Sequence, residues 1–132
     1  MDPITAPGPY KYIDPQGQEV TAELRTGFTT YPFVDLTATD WTIGGPQISV
    51  WLPVDDAERL TAALTARTPF EHADPIGDRV EMEQPAEDWT VFTFHRRPRD
   101  RDEEPETVRV VMLTARLPQF AAAVTAAIAD EV

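Results

Sequence analysis

The chain has 132 residues, 42% of them hydrophobic, which is enough for a real core and too many for wholesale disorder. It contains no cysteine, which excludes disulfides, thiolate metal sites and cysteine nucleophiles. Its formal charge of −12 repels nucleic-acid phosphate unless a basic patch intervenes, and it divides evenly: residues 1–66 carry three basic and nine acidic side chains, residues 67–132 eight and fourteen.

Residues 1–8, with Pro3, Pro7 and Gly8 and no periodicity, read as a flexible leader. They lack the basic-then-apolar layout of a signal peptide, and no apolar run approaches the ~20 residues of a membrane span, so a cytoplasmic location is expected. Tyr10–Glu23 reads as a hairpin, with Tyr10, Tyr12, Val20 and Ala22 alternating and Asp14-Pro15-Gln16-Gly17 as its turn. Proline fixes φ at the second turn position, and Gly17 takes a residue that needs positive φ. Arg25–Thr30 is a connector centred on Gly27, and Tyr31–Thr39 is rich in aromatic and β-branched residues, as a strand requires. Trp41–Ile43 and Gln47–Leu52 flank the turn signal Gly44-Gly45-Pro46; in the second of these strands Ile48, Val50 and Leu52 face one way, Ser49 and Trp51 the other. A helix follows. Asp55 and Glu58 have capping-box spacing, Ala57, Leu60 and Leu64 form its apolar stripe, and Pro69 stops it near Arg67.

The pattern then restarts. Pro69-Phe70-Glu71-His72-Ala73-Asp74-Pro75-Ile76-Gly77 repeats the chemistry of Pro9–Gly17 at an offset of 60, with Pro, Asp, Pro and Gly at identical positions. Trp89–His95 is a strand, Arg96–Glu106 a charged loop, and Val108–Leu113 a near-continuous apolar strand of the kind buried on both faces at a sheet centre. Leu117–Asp130 is the second helix, whose stripe Leu117, Phe120 and Val124 repeats Ala57, Leu60 and Leu64 at the same offset. In the middle of each unit, Asp40-Trp41-Thr42 matches Asp88-Trp89-Thr90 at an offset of 48. The predicted fold is therefore α+β and internally duplicated: a first unit over 9–68 and a second over 69–132 form one compact domain. Each unit is a β-hairpin, further antiparallel strands and a helix, and the two are related by a pseudo-twofold axis with both helices packed on antiparallel sheet.

Candidate chemistry is sparse. His72 stands at the repeat position of Tyr12, where aromatic packing accounts for it, and His95 has no partner ligand in sequence. Asp55/Asp56 and Asp102/Glu103/Glu104 are carboxylate clusters explained by helix capping and by a solvated loop. No nucleophile-elbow, phosphate-loop or dinucleotide motif is present, and no catalytic, cofactor or metal residue is assigned. The distinctive stretch is Arg96–Glu106, in which Arg96, Arg97, Arg99 and Arg101 precede an acidic half. Its reading as a docking loop rests on the arginine fork, and the alternative is a self-compensating solvated connection. Trp51 is the second candidate, because it points away from the apolar face of its strand toward an open sheet face; Trp41 and Trp89 are expected in the core or on a sheet face.

The ends of both units resemble the SPDY-type domain of unknown function. The resemblance rests on Trp51 and on Leu117-Pro118-Gln119-Phe120-Ala121-Ala122-Ala123-Val124, with Val111 where the second unit should have its tryptophan, and it spans roughly a third of the chain. It implies no activity and no site. One lysine against ten arginines, with no asparagine, fits a GC-rich bacterial genome. The sequence thus points to a non-catalytic protein-interaction or accessory factor. It has no cofactor, no membrane contact and no direct nucleic-acid contact, binds an unidentified protein partner, and leaves its oligomeric state open. Two alternatives stand beside this: an acidic inhibitor that mimics nucleic acid, and a small-ligand or enzymatic domain with a pocket between its halves.

Overall fold

The structure, a computed structural model, describes residues 10–25, 33–42, 45–98, 100 and 102–129. The predicted leader, the Gly27 connector, the Gly44 position and the arginines 99 and 101 lie outside the described residues. The chain is α+β, with two antiparallel four-stranded sheets and two helices. β1 (Tyr10–Ile13), β2 (Glu19–Arg25), β3 (Phe33–Thr39) and β4 (Gln47–Pro53) form the first sheet in chain order and lead into α1 (Val54–Ala66). β5 (Phe70–Ala73), β6 (Arg79–Ala86), β7 (Trp89–Arg96) and β8 (Glu106–Leu113) form the second, followed by a 3-10 turn (Thr114–Arg116) and α2 (Leu117–Ala129). No helix among the described residues is long and apolar enough to cross a membrane.

Both hairpin turns form as their sequence requires. The Gly17 and Gly77 amides donate to the Asp14 and Asp74 carbonyls, both at 2.9 Å, and the two glycines sit at φ +89° and +100°. Only glycine occupies that region without strain. At Gly77 space is short as well, since a Cβ there would meet the Arg97 Cδ at 2.7 Å. α1 ends on Arg67 in the left-handed conformation, with the Thr68 amide donating to the Ala63 carbonyl before Pro69 prevents continuation.

Alternation along the strands creates one shared interior. Val20, Leu36, Ile48, Val50 and Leu52 from the first sheet join Met82, Phe92, Phe94, Val110 and Met112 from the second in a single cluster. Leu60 and Leu64 of α1 and Leu117, Phe120 and Val124 of α2 complete it. The helices lie against each other, α2 reaches β1, β2 and β3 of the first sheet, and α1 lies on β3 and β4. Phe120, wholly buried, meets Phe92 edge-on at 5.4 Å. Across the sheets, β4 touches β7 and β8, while β3 touches β8.

Four expectations are corrected. Val108–Leu113 is an edge strand buried on one face only: Val108, Val110 and Met112 point inward, and Val111 is apolar on the outer side because the β1–β2 hairpin lies against it. Asp55 does not cap α1. The helix runs straight out of β4 from Val54 with Pro53 ahead of it and no side-chain cap, so Asp55 and Asp56 sit inside the first turn, where they suit the helix dipole. Trp41 is neither core nor strand but 66% exposed, just past the end of β3. Nor does Asp40-Trp41-Thr42 correspond to Asp88-Trp89-Thr90. The register pairs Phe33 with Pro53 and Trp89 with Leu113, so Phe33 and Trp89 each open a strand opposite the last residue of the next one, whereas Trp41 lies past the end of β3.

Two outcomes follow. Phe120→Ala is expected to cost about 3–5 kcal/mol in urea unfolding, and a loss under about 1 kcal/mol would place α2 at the periphery. Gly17→Val and Gly77→Val should each cost about 1–2 kcal/mol or more, with Gly77→Val the worse because of Arg97; unchanged urea midpoints for both would contradict the positive φ.

Candidate functional site

The two hairpin turns do more than reverse the chain. Asp14 and Asp74 are 4% and 6% exposed, and each divides its carboxylate between two tasks. In the first turn Asp14 Oδ1 accepts the Gln16 and Gln18 amides, both at 2.9 Å; in the second, Asp74 Oδ1 accepts the Ile76, Gly77 and Asp78 amides at 3.0–3.1 Å. The other oxygen leaves the unit. Asp14 Oδ2 accepts the Val111 amide on β8 at 3.0 Å, and Asp74 Oδ2 accepts the Trp51 amide on β4 at 3.3 Å. Carbonyl groups at the same two places are met by the residue two positions earlier. Tyr12 Oη donates to the Val111 carbonyl at 3.5 Å, and His72 Nε2 donates to the Trp51 carbonyl at 3.0 Å. Each hairpin thus clasps the edge strand of the opposite sheet.

A groove of about 410 Å³ opens beside the second clasp. One wall is the outward face of β4, with Gln47, Ser49 and Trp51 at alternate positions; the other is the second turn, with Asp74, Ile76 and Asp78; Arg96 and Glu103 complete the lining. Trp51 is half-buried, its ring centroid 5.0 Å from that of Phe33. Behind it a chain of hydroxyls fixes the polar wall: Ser49 donates to Thr37 at 2.8 Å, and Thr37 to Asp35 at 3.0 Å.

Two of the sequence-predicted candidates, Trp51 and Arg96, come from different sheets and line this one groove. Arg96, half-buried, is held by partners within the chain: it closes the β7–β8 ladder opposite Glu106, donates to Glu106 Oε1 at 2.8 Å, and donates to the Gln47 carbonyl of the other sheet. Arg97 does not line the groove; its amide donates to Asp78 Oδ1 at 3.0 Å and its side chain lies over Gly77. Arg99 and Arg101 fall outside the described residues. His72 Nδ1 is 3.7 Å from Asp56, and His95 Nε2 meets Glu81 at 2.6 Å. No group of three or more potential metal ligands exists among the described residues.

Sequence reasoning missed two features. The long-range role of Asp14 and Asp74 was signalled only by their identical place in the repeat. The other is Trp41, which is exposed yet fixed: its amide donates to Gln18 Oε1 and its indole N–H to Glu19 Oε2, both at 3.1 Å. Gln18 also donates to Asp40 at 2.9 Å. The Thr42 hydroxyl and amide, with Gln18, hold the Asp40 carboxyl below the usual carboxylate range. Ile13, 52% exposed, stands opposite Glu19 on the neighbouring strand.

No protein-family model matches the sequence, and no curated protein matches it. The SPDY-type resemblance therefore has no support beyond the residues that carry it.

Removing either clasp strands turn amides and an edge amide together. Asp14→Ala and Asp74→Ala should each cost about 1.5–3 kcal/mol, the range for hydrogen bonds to a charged acceptor. Hydrogen exchange should show the Val111 amide losing protection in the first variant and the Trp51 amide in the second. Unchanged protection at both amides would show that the clasps do not hold the edges.

Proposed function

We propose that the chain is a non-catalytic, cytoplasmic protein-interaction or accessory factor built from two copies of one unit about a pseudo-twofold axis, and that its partner docks in the groove walled by Trp51. Three observations support the duplication. Both sheets have the same strand order, the hairpin turns 60 positions apart make the same clasp, and the β4–β7 and β3–β8 contacts are the two that a half-turn would exchange.

The observation that carries the docking reading is the convergence of Trp51 and Arg96 on one groove between the units. Tryptophan and arginine are the residue types that dominate binding energy at protein interfaces, and Arg96 keeps the rim rigid through Glu106 and Gln47. A second reading has its own support. Trp41 is the most exposed of the large hydrophobic side chains in the described residues, and its hydrogen bonds to Gln18 and Glu19 present it without an ordering cost on binding. The groove volume also falls within the range of small-ligand sites, which keeps a ligand-binding domain as the alternative.

The test is capture from the native host with the parent chain, Trp51→Ala and Trp41→Ala as baits, each first matched for thermal midpoint. Trp51→Ala should lower affinity for the identified partner by roughly tenfold or more, as expected of a tryptophan anchor. Full retention of binding by Trp51→Ala with loss in Trp41→Ala would move the docking site to the Trp41 and Ile13 corner.

A further inference from the structure

Resting on the groove reading above, we infer that the groove takes the cationic side chain of a basic partner segment, an arginine or a lysine, and that it does not take a carboxylate. The sequence alone pointed the other way, since four arginines in one loop invite an acidic partner. The geometry of the described residues reverses the sign. Among the described arginines of that loop, Arg96 is the one that lines the groove, and both ends of its fork are already engaged, by Glu106 and by the Gln47 carbonyl. An incoming carboxylate would have to displace an ion pair of 2.8 Å and a bond that joins the two sheets.

Three carboxylates line the same groove: Asp74, Glu103 and Asp78, the last already engaged by Arg97. The hydrogen bonds of Asp74 come from backbone amides, which satisfy its oxygens while leaving its charge without a counter-ion among the described residues. Glu103 pairs with no cation among the described residues. Beside them stands the half-buried Trp51, and an indole next to carboxylates is the pairing that suits a guanidinium or ammonium group, which gains from the ring quadrupole and the anionic charge together. The Ser49 hydroxyl and Gln47 side chain on the same wall supply further acceptors. The formal charge of −12 adds a long-range field of the same sign, which raises the encounter rate of a basic segment and lowers that of an acidic one.

A second groove, beside the first clasp, serves as an internal comparison. It has about 370 Å³, and the described residues that line it are Pro15, Gln16, Trp89 and Val111, none of them charged. A cation attracted only by the net charge of the chain would visit both grooves, whereas one recognised by the lining favours the groove of Trp51.

The experiment is an NMR titration of the isotope-labelled full chain with three capped pentapeptides that differ only at the centre: arginine, its neutral isostere citrulline, and glutamate. The arginine peptide should move the Trp51 indole and Ser49 amide resonances saturably, with a dissociation constant of about 1 mM. It should leave the Trp89 indole unmoved, bind about tenfold more tightly than the citrulline peptide, and weaken as salt rises. Glu103→Gln should lower its affinity about three- to fivefold, the worth of one exposed ion pair. Equal binding of the citrulline peptide, tighter binding of the glutamate peptide, equal movement of Trp51 and Trp89, or no movement at about 10 mM peptide overturns the inference. These outcomes are separate from failure of the docking reading: if Trp51→Ala leaves partner capture intact while the arginine peptide still titrates Trp51, the protein partner binds elsewhere and the cation site stands.

Discussion

The structure depends on a buried carboxylate that acts in two sheets at once. A four-stranded meander ends in a strand with unpaired amides, and an uncovered edge both destabilises and invites foreign strands. β4 and β8 are such edges, and each is covered at one amide by an aspartate from the opposite hairpin. The first oxygen of that aspartate shapes the turn; the second, fixed by the turn, reaches the edge. Turn geometry and the seam between units are therefore one constraint. Because the interior is shared between both sheets and both helices, a shift of either hairpin would open the core as well as the edge.

The clasp also explains why the outward faces of β4 and β8 do not follow a simple alternation of polar and apolar. Trp51 and Val111 point away from the interior, yet each lies beside a hairpin of the other unit. Val111, flanked by Val110 and Met112, made β8 look like a strand buried on both sides. The run of apolar residues was real, and the cover on its outer side is a loop from the other half, where a central strand would have had a helix layer. In the same way Trp41 and Trp89 each carry an Asp before and a Thr after, and the likeness concealed their different places: Trp89 opens a strand, while Trp41 follows one.

What was legible followed from local rules. The Asp-Pro-x-Gly turns, the hairpins on either side, the stop of α1 before Pro69 and the apolar stripes of both helices depend on residues within a few positions of one another, and they form as read. The second task of Asp14 and Asp74 was not legible, because a turn that needs only one carboxylate oxygen gives no sign of where the other points. The groove was half legible. Trp51 followed from strand parity, but its meeting with Arg96 joins residues of two sheets, and no pattern along the chain encodes that distance. The engagement of Arg96 was likewise hidden: its partners are a residue ten positions ahead, across a hairpin, and a carbonyl in the other sheet.

The two seams share the clasp and differ in the side chains that line the grooves beside it. Position by position, Trp51 faces the place of Val111, Ile76 that of Gln16, and Asp78 that of Gln18. The register adds Phe33 for Trp89. At the second seam the Phe33 ring stacks on Trp51 and backs it; at the first, Trp89 lines the groove itself. The β7–β8 connection is also longer than the β3–β4 connection, and it is from this extra length that Glu103 reaches the groove. Glu103 thereby shares a groove with Trp51, and no carboxylate takes such a place among the described residues that line the groove of Trp89. Two seams with one clasp therefore carry unlike linings, on a frame that neither lining has to support.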